Sequence, residues 1–337
     1  MDAMVQSPSQ RQGALTQAAA LAPALAAMAY PFWLQAFHSV AALPLLLAAF
    51  AMPLLAAAWW LRRAGQEPWS AFDHRARRLA LLAAAAPPLC VFGAFLLGAL
   101  GRPMPEPVAW VAAWGAAALW TWVGRRELPP ARAPQADVTA RVVHGLLAAG
   151  VLAFIAFHLA NHLIGLLGPA AHAAVMKAGR SVYRQPAVEA MLVSLLLLQL
   201  ALGSWLAWRW SRLRMDGYRA VQVVTGVYVG FFAITHMNSA LVSARLLHGT
   251  DTNWAWASGA PAGLLADAWS VRLVPHYALG VFCALVHLAC GLRVVLLAHG
   301  WRPAVVNRAW RVGLTASAVT AALVVAGLCG LQLSWST

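Results

Sequence analysis

Long apolar runs broken by short arginine clusters dominate the chain. The runs cover residues 31–61, 79–101, 107–124, 142–167, 187–210, 221–247, 272–298 and 311–333. At about 1.5 Å per residue, even the shortest is long enough as a helix to approach the ~30 Å hydrocarbon core of a bilayer. The pattern predicts an all-α, polytopic transmembrane helical bundle with about eight spans. Residues 1–30 are rich in Ala and Gln, with Pro23, and read as a loose tail plus a weak surface helix; a ninth span near Ala14–Tyr30 is the other reading. Pro103, Pro105 and Pro107 separate the second and third runs, and Pro129, Pro130 and Pro134 form a linker before the fourth. That linker divides the chain into residues 1–130, a tail with a three-span extension, and residues 131–337, a five-span bundle.

Composition supports the membrane assignment. Of 337 residues 62% are hydrophobic and 10% charged, against roughly 25% charged in soluble domains. The formal charge of +14 does not point to nucleic acid, because the arginines are spread between runs. Arg62, Arg63, Arg75, Arg77 and Arg78 follow the first run; Arg125, Arg126, Arg132 and Arg141 the third; Arg209, Arg212, Arg214 and Arg219 the fifth; Arg302, Arg308 and Arg311 the seventh. This alternation is the cytoplasmic-loop signature of a multi-pass protein, with both termini on the opposite side. Asp2 and Arg11 give no basic leader of the kind a signal peptide needs. Cys90, Cys283, Cys290 and Cys329 form no C-x-x-C pair and read as small apolar residues.

Histidine carries the candidate chemistry. His158, His162, His236 and His287 fall well inside runs, and His144 and His276 near their ends. A polar ring in hydrocarbon needs a partner. His158 lies 17 residues beyond Arg141, and His236 lies 17 residues beyond Arg219. Both are therefore about 25 Å along spans that start at the same face. Two imidazoles at equal depth can clamp one iron porphyrin from both sides, leaving no axial position open. Gly150, Gly226 and Gly230 remove bulk nearby. His158 and His162, four residues apart on one helical face, together with His276 are alternatively a metal site, a quinone contact or a helix–helix hydrogen bond. Arg180, Tyr183 and Arg184 read as an outer-loop cluster that binds lipid phosphate or anchors at the interface. His38 and His74 read as structural or interfacial.

The segment from Arg141 to Leu297 resembles the five-helix cytochrome b membrane anchor of succinate dehydrogenases and fumarate reductases. The features that carry the likeness are His144-Gly145 and His158-Leu-Ala-Asn161, then the stretch Glu189–Gly203, then Gln222-Val-Val-Thr225-Gly226 followed by His236, then His287 with Gly291. The resemblance implies a b-type cytochrome in the bacterial cytoplasmic (inner) membrane that carries electrons between quinone and a partner protein. It implies haem b as cofactor, flavoprotein and iron–sulfur subunits as partners, and lipid and quinone as surroundings. His158 and His236 become axial ligands, and His144, His162 and Arg141 become quinone or propionate contacts. Two-haem members of the family carry a histidine on the second helix where this chain has Gln199. One haem is therefore expected, with Gln199 and His287 hydrogen-bonding to each other. The reading from another class is a haem-free transporter or scaffold that keeps the anchor fold.

Overall fold

A computed structural model describes residues 8–37, 42–66, 70–124, 137–267 and 269–333, and their side chains from residue 18 onward except that of Asp137. The described residues form twelve α-helices and no strand: α1 (Pro8–Gln35), α2 (Leu43–Ala64), α3 (Ala71–Ala84), α4 (Ala86–Ala99), α5 (Glu106–Trp122), α6 (Asp137–Ile164), α7 (Pro169–Tyr183), α8 (Pro186–Trp210), α9 (Gly217–Met237), α10 (Trp254–Ser258), α11 (Leu273–Ala298) and α12 (Pro303–Leu328). Seven segments are long and apolar enough to span a bilayer singly, the bent pair α3–α4 passes the same test only as a unit, and α5, within the predicted 107–124 run, is not among them. The chain is a multi-pass membrane protein.

Three features of the N-terminal part differ from the sequence reading. The 31–61 run is not one span but the end of α1 and most of α2. As one helix it would reach about 46 Å, well past the hydrocarbon thickness. Residues 18–35 qualify as a span, so the ninth-span reading describes this region better than a loose tail. Ala20, Ala24, Ala27, Tyr30 and Leu34 of α1 are buried at spacings of three and four, one helical face packed on its neighbours. Finally, the 79–101 run bends by 79° between α3 and α4. Pro87 and Pro88 follow directly; each lacks an N–H and crowds the carbonyl four residues earlier, so a straight helix cannot continue. The Pro129–Pro134 linker and His38 lie outside the described residues.

Five spans of the C-terminal part close into a ring. α6 packs on α8, α8 on α9, α9 on α11, α11 on α12, and α12 back on α6. Proline starts several of these segments, at Pro169, Pro186 and Pro303, where its missing N–H costs nothing. Asp216 caps α9 by accepting the Arg219 backbone N–H at 2.8 Å. The N-terminal helices lie outside the ring, with α2, α3 and α4 against α9 and α4 also against α11. Trp60, fully buried, donates its indole N–H to the Ala220 carbonyl of α9 at 3.2 Å. Buried Arg77 donates to the carbonyls of Arg63, Gln66 and Leu213, which ties α2, α3 and the α8–α9 turn together. Most large side chains on the outer face of α6 and α8, Leu146, Leu152, Met191 and Leu197 among them, are exposed as a lipid-facing surface requires.

The two ends of the ring differ in charge. One end gathers Arg78, Arg209, Arg212, Arg219 and Arg293, with guanidinium groups over Trp208, Trp205, Trp210 and Tyr218. At the opposite end arginines are paired with acids: Arg180 with Asp251 at 2.9 Å, Arg272 with Glu106 at 2.8 Å, and Arg245 with Glu189. The segment read as an outer loop contains α7, which packs on α6, α8 and α10.

Candidate functional site

Histidines from four helices meet toward the acid-paired end of the ring. His158 and His236 come from α6 and α9, which are not adjacent in the ring, and their ring centres are 5.7 Å apart. Each is braced by an aromatic one turn earlier on its own helix. Phe154 stacks on His158 at 5.7 Å, and Phe232 on His236 at 5.6 Å. The i, i+4 spacing gives both contacts. His162 lies edge-on to His158 at 4.8 Å, and His172 of α7 lies 5.8 Å beyond it. From α11, His276 packs on Phe232 at 4.8 Å and Tyr277 approaches His236 at 6.3 Å. Immediately after His236 the helix widens into a π-helical stretch, Asn238–Leu247, a local irregularity often found beside functional groups.

The hydrogen bonds in this cluster are incomplete. Asn161 Nδ2 and His172 Nε2 are 3.1 Å apart. The Asn161 carbonyl oxygen and Nδ1 of His162, His172 and His276 are buried without a partner among the described residues. Neither ring nitrogen of His158 or His236 has a hydrogen bond within the described protein, although both rings sit deep in a hydrocarbon-spanning segment. Burial and the nearby Arg180 charge hold the His172 imidazole below its ordinary pKa, so it sits neutral on the cluster.

What the cluster can hold follows from its geometry. Among the described residues no group of three or more His, Cys, Asp or Glu is arranged to hold a metal ion, so His158, His162 and His276 do not make the three-ligand site considered from sequence. A two-imidazole clamp is a different geometry. With a metal about 2 Å from a nitrogen of each ring, the ring centres stand roughly 6 Å apart. The 5.7 Å separation of His158 and His236 fits it, and so do their unpartnered nitrogens. A Cβ added at Gly230 would meet no atom within 4 Å, whereas Gly150 is packed on Leu195 and Gly226 on His287. Of the three glycines read as making room, Gly230 alone faces open space.

The other sequence-predicted residues lie elsewhere. His144 is toward the arginine-rich end, opposite His287 with ring centres 6.2 Å apart. Arg141 lies near Arg219 at that same end. His162 alone of the three expected contact residues joins the His158–His236 cluster. The expected Gln199–His287 hydrogen bond is not formed. Gln199 Nε2 is 3.2 Å from His144 Nε2, and His287 Nδ1 is 3.0 Å from the Gln222 carbonyl. His172 was missed, because its segment was read as a loop. The signal was available: His172, Met176 and Arg180 recur every four residues after Pro169, and the first two are buried.

Comparison with protein-family models, with curated proteins and with solved structures finds no match to the chain.

Proposed function

We propose that the protein is a membrane-bound b-type cytochrome that passes electrons between a membrane quinone and a partner protein. The observation that carries this reading is the meeting of His158 and His236 from opposite sides of the ring, without hydrogen bonds of their own among the described residues. His158 and His236 would hold a haem b there, and the bound group would supply one-electron transfer. Phe154 and Phe232 fix the two rings, and the surrounding apolar helices exclude water. His162 and His276 stand next to the pair as hydrogen-bonding groups for a quinone headgroup. Arg141, far toward the other end, is better suited to a carboxylate or lipid phosphate there than to this pair. The resemblance to succinate dehydrogenase and fumarate reductase anchors fits this role, with flavoprotein and iron–sulfur subunits as the soluble partners and the bacterial cytoplasmic membrane as the location.

The test is the haem b content of the purified protein, determined as the pyridine haemochrome, for the parent and for His158→Ala and His236→Ala. Haem bound by the parent and lost from both variants supports the reading. Haem-free, well-folded protein after supply of haem would refute it and leave a transporter or scaffold as the better account.

A further inference from the structure

Away from the histidine cluster, a group of cations gathers at the arginine-rich end where α3 meets α8. Arg78 of α3 reaches the last turn of α8. Its guanidinium carbon lies 3.3 Å from the centre of the Trp208 ring, and its Nε–H donates to Ser211 Oγ at 3.1 Å. Ser211 is buried and gives its own hydroxyl proton to the Trp208 carbonyl at 2.7 Å, so its lone pairs are turned to Arg78. Arg212, the next residue, brings a second guanidinium to 5.9 Å from the same indole. A ring face attracts both cations but does not neutralise them.

The charge is not balanced from within. Arg78 Nη2 is buried with no hydrogen-bond partner among the described residues, and so is Nδ1 of His74, which is 7% exposed and one turn earlier on α3. Arg78 and Arg212 are close enough for their charges to repel, and His74 lies within reach of both. No carboxylate pairs with either arginine among the described residues. Asp73, beside His74, is committed to Ser70, whose backbone N–H and hydroxyl it accepts at 3.2 and 2.8 Å. Asp216 is likewise committed to capping α9. At the opposite end Arg180, Arg245 and Arg272 each have a carboxylate. A guanidinium withdrawn from water without a counter-charge is strongly unfavourable, so this pocket calls for an anion.

Its surroundings narrow the choice of anion. Phosphate oxygens accept several N–H bonds at once, and arginine pairs with them bidentately. Hydrocarbon lies alongside. Leu198, Ala201, Trp205 and Trp208 follow one another every three or four residues along α8, and all four are exposed. This stripe leads from the middle of the helix to the two guanidinium groups, with tryptophans at the level where they mark a membrane interface. By the alternation of arginine clusters this end faces the cytoplasmic leaflet. Anionic phospholipids concentrate there, and basic pockets between spans hold their headgroups.

We propose that Arg78, Arg212 and His74 hold the phosphate of one anionic glycerophospholipid, with Ser211 and Trp208 positioning Arg78 and an acyl chain lying on the exposed stripe of α8. The lipid is then the missing counter-charge at the seam between the N-terminal helices and the ring, and it joins α3 to α8 from the membrane side. α3 lies outside the segment that resembles the anchor family, so the site belongs to the union of the two parts of this chain. It does not depend on the reading as a cytochrome.

The experiment is native mass spectrometry of the purified, delipidated full-length protein titrated with phosphatidylglycerol or phosphatidylcholine. One phosphatidylglycerol should be retained in preference to phosphatidylcholine. Arg78→Gln and Arg212→Gln should each weaken its binding by about tenfold or more, the loss expected for one charge-assisted hydrogen bond. Arg308→Gln removes one exposed charge from the same end and should change binding by about twofold at most, since distant exposed charges are screened. Arg212 is exposed, so its replacement leaves the fold in place and keeps the test open if Arg78→Gln does not assemble. Added phosphatidylglycerol should also raise the melting temperature of the parent and of Arg308→Gln, but not that of Arg212→Gln. Equal binding of the two lipids, or equal weakening in Arg212→Gln and Arg308→Gln, overturns the site in favour of diffuse surface charge. Displacement of phosphatidylglycerol by millimolar inorganic phosphate overturns the lipid and leaves a free anion as the ligand.

Discussion

The Arg272–Glu106 pair joins the turn before α11 to the start of α5, so breaking it tests how the N-terminal helices are held to the ring. The side chains are 8% and 23% exposed, and Nη1 donates to Oε1 at 2.8 Å. Arg272 also lies 3.7 Å from the centre of the Trp269 ring and donates Nε–H to the Trp269 carbonyl. At an effective dielectric of about 20 the Coulomb attraction is about 6 kcal/mol before desolvation is counted. Removing one member of a fully buried pair costs about 3–5 kcal/mol, since the other charge is stranded. Partial exposure of Glu106 reduces this, and Glu106→Gln should cost about 2–3 kcal/mol. Cys90 reports the result locally, for it is buried and its thiol lies 3.7 Å from Glu106 Oε1. With the other three cysteines changed to alanine, Cys90 should label roughly 30- to 150-fold faster in Glu106→Gln if labelling follows local opening. Replacing both partners by apolar residues, Glu106→Leu with Arg272→Met, should recover most of the loss. A change below threefold in Glu106→Gln would place the pair with weak surface ion pairs and refute the argument.

Two further outcomes follow from single contacts. Trp60→Phe keeps most of the buried ring but strands the Ala220 carbonyl of α9, and should cost about 1–3 kcal/mol in thermal unfolding in detergent; an unchanged melting temperature would mean that bond holds little. His172 has a folded pKa below its unfolded value of about 6.5, so the unfolded or undocked state takes up the proton first. Its contribution to docking α7 is therefore complete above about pH 6.5 and is lost as pH falls through the lower folded value. Hydrogen exchange in α7, corrected for intrinsic rates, should rise on acidification in the parent and less so in His172→Phe. Equal rises in the two proteins would assign the effect to another group.

Membrane crossing and the depth of the central histidines were legible because each depends on something local, and a total of about eight spans holds although α1 enters the count and α5 does not. Apolar run length fixes a span, and counting from Arg141 and Arg219 puts His158 and His236 level. Where the sequence misled, the cause was tertiary or easily disguised. Alanine fills the buried face of α1, and alanine alone does not separate a surface helix from a span. The 79–101 run was read as one uninterrupted span, and the 79° bend ahead of Pro87 and Pro88 was not anticipated. The family pattern pairs Gln199 with His287, whereas its partner, His144, is fixed by the order of helices around the ring. That order brings α6 rather than α8 opposite His287, and apolar periodicity carries no record of it.

Reduction of the purified full-length protein by a soluble quinol, followed by dithionite in the same cuvette, tests the central claim most directly. The account predicts the α- and Soret bands of a b-type haem, part of the dithionite-reducible absorbance developing with quinol alone, and loss of that part in His236→Ala. Folded, haem-supplied protein without a Soret band would contradict it. So would haem absorbance that persists undiminished in both His158→Ala and His236→Ala.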